Sequence, residues 1–225
     1  MKGFFITFEG LEGSGKTTQA SRLVAALKEK GYSVVGTREP GGTPIGETLR
    51  NIVLDPNRKE MNSLTEVLLF AAIRAQHIAQ VIRPMLDEGG IVVCDRFADA
   101  TLAYQGYGRE LHLTMVREVN GIASWGVQPD LTVYLDIEAE QGLARMRRRL
   151  EEQENIPDRI EREDREFYEK VRQGYHEISR EEPGRFRVFN ADQNPEQLHA
   201  KILDKVVQEL RRRGMSNKLT LDNMA

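Results

Sequence analysis

Phe4-Phe5-Ile6-Thr7-Phe8-Glu9-Gly10-Leu11-Glu12-Gly13-Ser14-Gly15-Lys16-Thr17-Thr18 carries an apolar run into a glycine-rich turn and on into a helix-forming segment. Within it, Gly10 to Thr17 satisfies G-x-x-x-x-G-K-S/T at every fixed position, with a strand before it and a helix after it. The glycines let the backbone curl so that successive N–H groups face an anion, and the helix N-terminus adds a partial positive charge. Lys16 is placed to reach the β- and γ-phosphates of a nucleotide, and the Thr17 hydroxyl to join a magnesium shell. Gly10, Leu11, Glu12, Gly13, Ser14, Gly15, Lys16, Thr17 and Thr18 are therefore the candidate ATP-binding set. Such a loop names a superfamily and not a substrate.

Outward from this loop, short β-rich runs alternate with longer helical ones. The strand candidates are Phe4–Glu9, Ser33–Arg38, Ile91–Asp95, Leu131–Asp136 and Phe186–Asn190. The first four read as buried on both faces and the fifth as an edge. Helices are expected at about 16–30, 63–86, 113–125, 139–150, 163–180 and from Pro195 onward. Ser63 and Glu66 read as a capping box for the second of them. This alternation predicts an α/β fold: a P-loop NTPase-type three-layer sandwich with a five-stranded parallel sheet, its ligands at the carboxyl ends of the strands. Residues 145–165 are dominated by charge and are expected to be mobile, with a charged lid near 145–160. One domain over 1–213 is expected, with 214–225 a disordered tail.

The net charge of −3 over 225 residues offers no global basic footprint for duplex nucleic acid. The single cysteine, Cys94, excludes an intrachain disulfide and fits a reducing, cytoplasmic location. No run of about 18 apolar residues suggests a membrane span. A guanine-reading Asn-Lys-x-Asp segment is missing, since Asn217-Lys218 lies in the tail with Thr220 two positions on.

A second signal is Ile91-Val92-Val93-Cys94 running into Asp95-Arg96-Phe97. It sets a carboxylate and a guanidinium beside the phosphate loop. Asp95 could orient metal-bound water, and Arg96 could grip an acceptor phosphate with a bidentate fork. The run from Asp95 through Ala98-Asp99-Ala100-Thr101-Leu102-Ala103-Tyr104-Gln105-Gly106 resembles the signature of the thymidylate kinase family. Thr37-Arg38-Glu39-Pro40-Gly41-Gly42-Thr43 and Asp158-Arg159-Ile160-Glu161 resemble two further motifs of that family. Ala100 departs from it, standing where most members carry serine.

The resemblance implies a homodimeric, Mg2+-dependent kinase that moves the ATP γ-phosphoryl group to dTMP, with no nucleic acid or membrane partner. It assigns Glu9, Arg38, Phe70, Arg74, Arg96, Thr101, Tyr104 and Gln105 to dTMP, and Thr17 and Asp95 to the metal. Lys16, Arg96, Glu12 and a lid arginine are its catalytic candidates. Arg149 is the first choice for the lid, with Arg145 and Arg159 in support. On spacing alone several of these stay open. Phe70 and Tyr104 also suit core packing, Glu9 a salt bridge, and Thr101 with Gln105 a polar helix face. A kinase for another nucleoside monophosphate or for a deoxynucleoside is the alternative reading.

Overall fold

The computed structural model describes residues 3–215. Five strands form one parallel sheet: β1 (Phe4–Gly10), β2 (Val34–Arg38), β3 (Ile91–Asp95), β4 (Leu131–Asp136) and β5 (Phe186–Asn190), in the order β2-β3-β1-β4-β5. The register pairs Phe8 with Asp95, and Asp95 with Arg38, so three chemically active strand ends lie side by side. β2 alternates buried and exposed residues as β5 does, because both are edges. The expectation that β2 is covered on both faces is thus corrected.

Alternation along β1 builds the layers. Phe4, Ile6 and Phe8 pack toward Leu23 and Leu27 of α1 (Lys16–Glu29). Phe5, with Val92 and Cys94, meets Ile78, Ile82 and Leu86 on the opposite face. Those last three belong to a long rod made of α3 (Ser63–His77), a π-helical segment (Ile78–Ile82) and α4 (Arg83–Asp87). Asn62, not Ser63, caps this rod, accepting from Leu64 N. Glu66 faces inward instead of reaching back, so the expected capping box does not form.

Two elements escaped the sequence reading. α2 (Pro44–Val53) starts with Thr43 accepting from Gly46 N and proline in its first turn. α5 (Ala98–Thr101) continues as a π-helical segment (Leu102–Gly108). The remaining helices are α6 (Leu113–Ser124), α7 (Ala139–Glu152), α8 (Arg165–Glu181) and α9 (Pro195–Arg212). The first half of the expected lid is therefore ordered helix: Met146 is buried in the core while its charged neighbours face outward. Of the expected tail, Gly214 and Met215 still follow α9, with Met215 against the core. Residues 216–225 lie outside the described residues.

Candidate active site

The phosphate loop joins β1 to α1. Gly15 caps the helix at φ 90° with no side chain on the first-turn N–H groups, which leaves them for an anion. Gly13 stands at φ 74°, and a Cβ there would lie 2.2 Å from the Gly142 carbonyl of α7. Lys16 is buried. Its Nζ donates to Leu11 O at 2.7 Å and lies 3.4 Å from Ser14 Oγ. Burial, then Arg96, lowers the Lys16 ammonium to a pKa of about 8, against the pull of Glu12 and Asp95.

That shift has a measurable consequence. Polyphosphate against Lys16 favours its charged form, so binding takes up a proton wherever free Lys16 is neutral. ATP affinity is expected to hold below about pH 8 and to fall about tenfold per pH unit above it. Titration calorimetry at pH 9 should then depend on the buffer's ionisation heat. The same heat in every buffer would contradict this.

Arg96 begins the turn after β3 at φ 71°, a left-handed conformation that is uncommon for arginine. Its N–H donates to Phe8 O at 2.9 Å. Its guanidinium donates to Gly10 O at 2.9 Å, Glu12 Oε1 at 2.6 Å, Tyr104 OH at 3.1 Å and Tyr175 OH at 3.3 Å. Tyr104 OH in turn donates to Glu12 Oε2 at 2.5 Å. Burial raises the Glu12 carboxyl, yet Arg96 and Lys16 together hold it below the usual carboxylate range. Across the loop, Thr17 Oγ1 donates to Asp95 Oδ2 at 2.5 Å, so two hard oxygen donors adjoin the phosphate loop.

One cavity of about 1240 Å³ gathers most of the expected residues. Glu12, Gly13, Gly15, Lys16, Thr17 and Thr18 line it on the loop side. Arg38, Phe70, Arg74, Asp95, Arg96, Thr101, Tyr104 and Gln105 line it on the other, and Arg149 and Arg145 reach it from α7. Phe70 is only half-buried, so it is a wall of the cavity and not core filling. Gly10, Leu11 and Ser14 are buried behind the loop, where the first two hold Arg96 and Lys16 through their carbonyls.

Three expectations change. Glu9 is not brought to the cavity: it is fully buried and accepts from Phe97 N and Tyr175 OH, each at 2.8 Å. Burial, with Asp99 nearby, pushes its carboxyl up to about 8. Its place is beneath the Arg96 turn, which it steadies. Arg159 is also turned away, its guanidinium spent on Glu66 and Val53 O. Arg74 lines the cavity but is already bound to Glu39, Asn120, Phe97 O and Thr101, which uses four of its five N–H groups. Glu39, held also by His77, ties down the loop after β2.

Sequence reasoning missed Arg50. It lies on the unpredicted α2, donates to Pro40 O at 2.8 Å and lines the cavity. Burial and the neighbouring Arg38 charge lower its pKa. Three guanidiniums, of Arg38, Arg50 and Arg96, thus line one cavity, Arg38 held by Glu47 at 3.0 Å and Arg96 by Glu12 at 2.6 Å, and their forked donors suit a phosphate.

Known proteins resemble this chain over most of its length. The family model described as thymidylate kinase matches residues 8–202. The chain is 46% identical over 212 residues to a thymidylate kinase of Geobacter sulfurreducens, covering 94% of this chain and all of the relative. It is 50% identical over 190 residues to one of Syntrophotalea carbinolica, covering 84% and 88% of the two chains. The crystal structure of thymidylate kinase from Ehrlichia chaffeensis superposes with a TM-score of 0.73 at 35% identity, covering 91% of this chain and 98% of that one.

Proposed function

This chain belongs to the thymidylate kinase family, and from that premise we propose how its cavity divides the work of phosphorylating dTMP to dTDP with ATP. The observation that carries the reading is the single cavity with a phosphate loop on one wall and three convergent guanidiniums beside an aromatic, amide-bearing pocket on the other. The donor phosphates lie on the loop against Lys16. Arg38, Arg50 and Arg96 hold the acceptor phosphate. Phe70 stacks on the base, and Thr101 and Gln105 read its edge. Tyr104, pinned by Glu12 and Arg96, faces the sugar.

The reaction is in-line transfer between two phosphates, so positioning and charge neutralisation carry it. The acceptor is already an anion near neutral pH and needs no strong base. Lys16, Arg96 and Arg149 spread the charge that develops on the moving phosphoryl group. Glu12 keeps Arg96 and Tyr104 in place. The residues from 145 to about 160 act as the lid whose closure excludes water.

Thr17 and Asp95 suit magnesium, a hard cation that takes most of its shell from phosphate oxygens and water. Bound there, the ion neutralises donor-phosphate charge. The chain to residue 213 works as one domain, in the reducing cytoplasm that the buried thiol of Cys94 suits.

A second copy of this chain covers the face shared by α3 and α6, where Leu64, Leu68, Ile122 and Trp125 are exposed apolar side chains. Leu68→Glu should leave a monomer in sedimentation equilibrium; a monomeric wild type would remove the dimer. The reaction itself is tested by ion-exchange analysis of products from ATP, magnesium and dTMP. Equal amounts of dTDP and ADP are expected, whereas ADP without dTDP would sink the acceptor assignment.

A further inference from the structure

Glu66 has no part in the roles above, yet its carboxylate is fully buried beside the base pocket. A buried carboxylate must be answered by donors. Gln105 Nε2 reaches Oε1 at 2.7 Å, Arg159 reaches Oε2 at 2.5 Å, and Arg109 lies at 3.4 Å. With N–H donors facing both of its oxygens, the Glu66 carboxyl serves there as an acceptor. The Gln105 carboxamide must therefore turn its NH2 toward Glu66 and its Oε1 the other way. Among the described residues no protein donor reaches that oxygen, and Gln105 lines the cavity beside Arg74 and Thr101.

A free glutamine can offer either end of its amide to a ligand; this one offers an acceptor. We propose that Glu66 is a specificity-positioning residue: by fixing the amide of Gln105, it makes the pocket demand an imide N–H. Thymine and uracil carry that donor at N3. Cytosine carries a lone pair there, so its N3 would face the Gln105 oxygen acceptor to acceptor. The inference rests on Gln105 facing the acceptor base, as proposed above. Glu66 also holds Arg159, so its loss loosens the segment around residue 159. The test must therefore separate base choice from general loosening.

The experiment compares kcat/KM for dTMP, dUMP and dCMP in wild type, E66Q and Q105A. The amide in E66Q can donate to Gln105, which frees its carboxamide to turn over. The dTMP-to-dCMP preference is expected to fall about tenfold or more, mostly through KM, while dTMP-to-dUMP stays within about threefold. A folded E66Q that keeps its preference against dCMP overturns the proposal. So does an equal loss of both preferences. If Q105A leaves the KM for dTMP unchanged, the base-pocket reading fails instead. Should E66Q not fold, NMR of the Gln105 side-chain amide in the wild-type dTMP complex decides. Contacts from its Hε protons to the nucleotide ring overturn the proposal; protected Hε protons without such contacts support it.

Discussion

Arg149→Ala is expected to lower kcat by about 10³-fold or more, while the KM values for ATP and dTMP stay within a few-fold. Arg149 stands on the last turn of α7, half-exposed, and lines the same cavity as Lys16. Its present partner is Glu161. A pair this exposed on the arginine side holds by about 1 kcal/mol or less, so the guanidinium can be released toward the reacting phosphate at little cost. Leu11-Glu12 places no cation at the variable positions of the phosphate loop, which leaves the compensating charge to be supplied from the lid. Rapid-quench single turnover separates the chemical step from product release. Arg148→Ala is the control: its side chain is exposed, and it pairs with Glu152 one turn on. A silent Arg149→Ala together with a collapsed Arg145→Ala would move the role to Arg145.

Arg96→Ala should fail in two ways at once. Its guanidinium is the acceptor-phosphate ligand that also touches the phosphate loop, so kcat/KM for dTMP is expected to drop about 10²- to 10³-fold. It is also the partner of Glu12, a mostly buried pair at 2.6 Å. Removing Arg96 leaves the Glu12 carboxylate with Tyr104 OH and the nearby Lys16 charge but without its ion-pair partner, at a cost of about 3 kcal/mol. Chemical denaturation should show that loss, and it should shrink in Glu12→Gln/Arg96→Ala, where no charge is stranded. A variant as stable as wild type would mean that water reaches Glu12 freely.

Much of this was legible in the sequence where one residue type has few substitutes. The loop from Gly10 to Thr17 needs glycine for its backbone angles and lysine for its charge, and the strand before it needs apolar residues on both faces. Asp95 and Arg96 could be placed because the strand Ile91–Asp95 ends in the first and runs directly into the second. What could not be read depended on the direction in which a side chain points. Glu9 lies one residue before the loop, and its carboxylate turns under the Arg96 turn, not into the cavity. Arg159 sits in a lid motif yet faces Glu66. Glu66 has the spacing of a capping residue, but its place on the rod turns it toward Gln105 and away from the helix start. Arg50 was missed with α2, although Thr43-Pro44 and the helical spacing of Ile45, Leu49, Ile52 and Val53 could have marked that helix.

The most direct measurement is a coupled ADP-release assay with ATP, magnesium and a panel of acceptors: dTMP, dUMP, UMP, CMP, AMP, GMP and thymidine. Turnover is expected to be highest with dTMP, and thymidine should be inert because it lacks the phosphate that Arg38, Arg50 and Arg96 would hold. Preference for CMP, for a purine monophosphate or for thymidine itself would contradict the acceptor pocket described here, leaving only the phosphate loop in place.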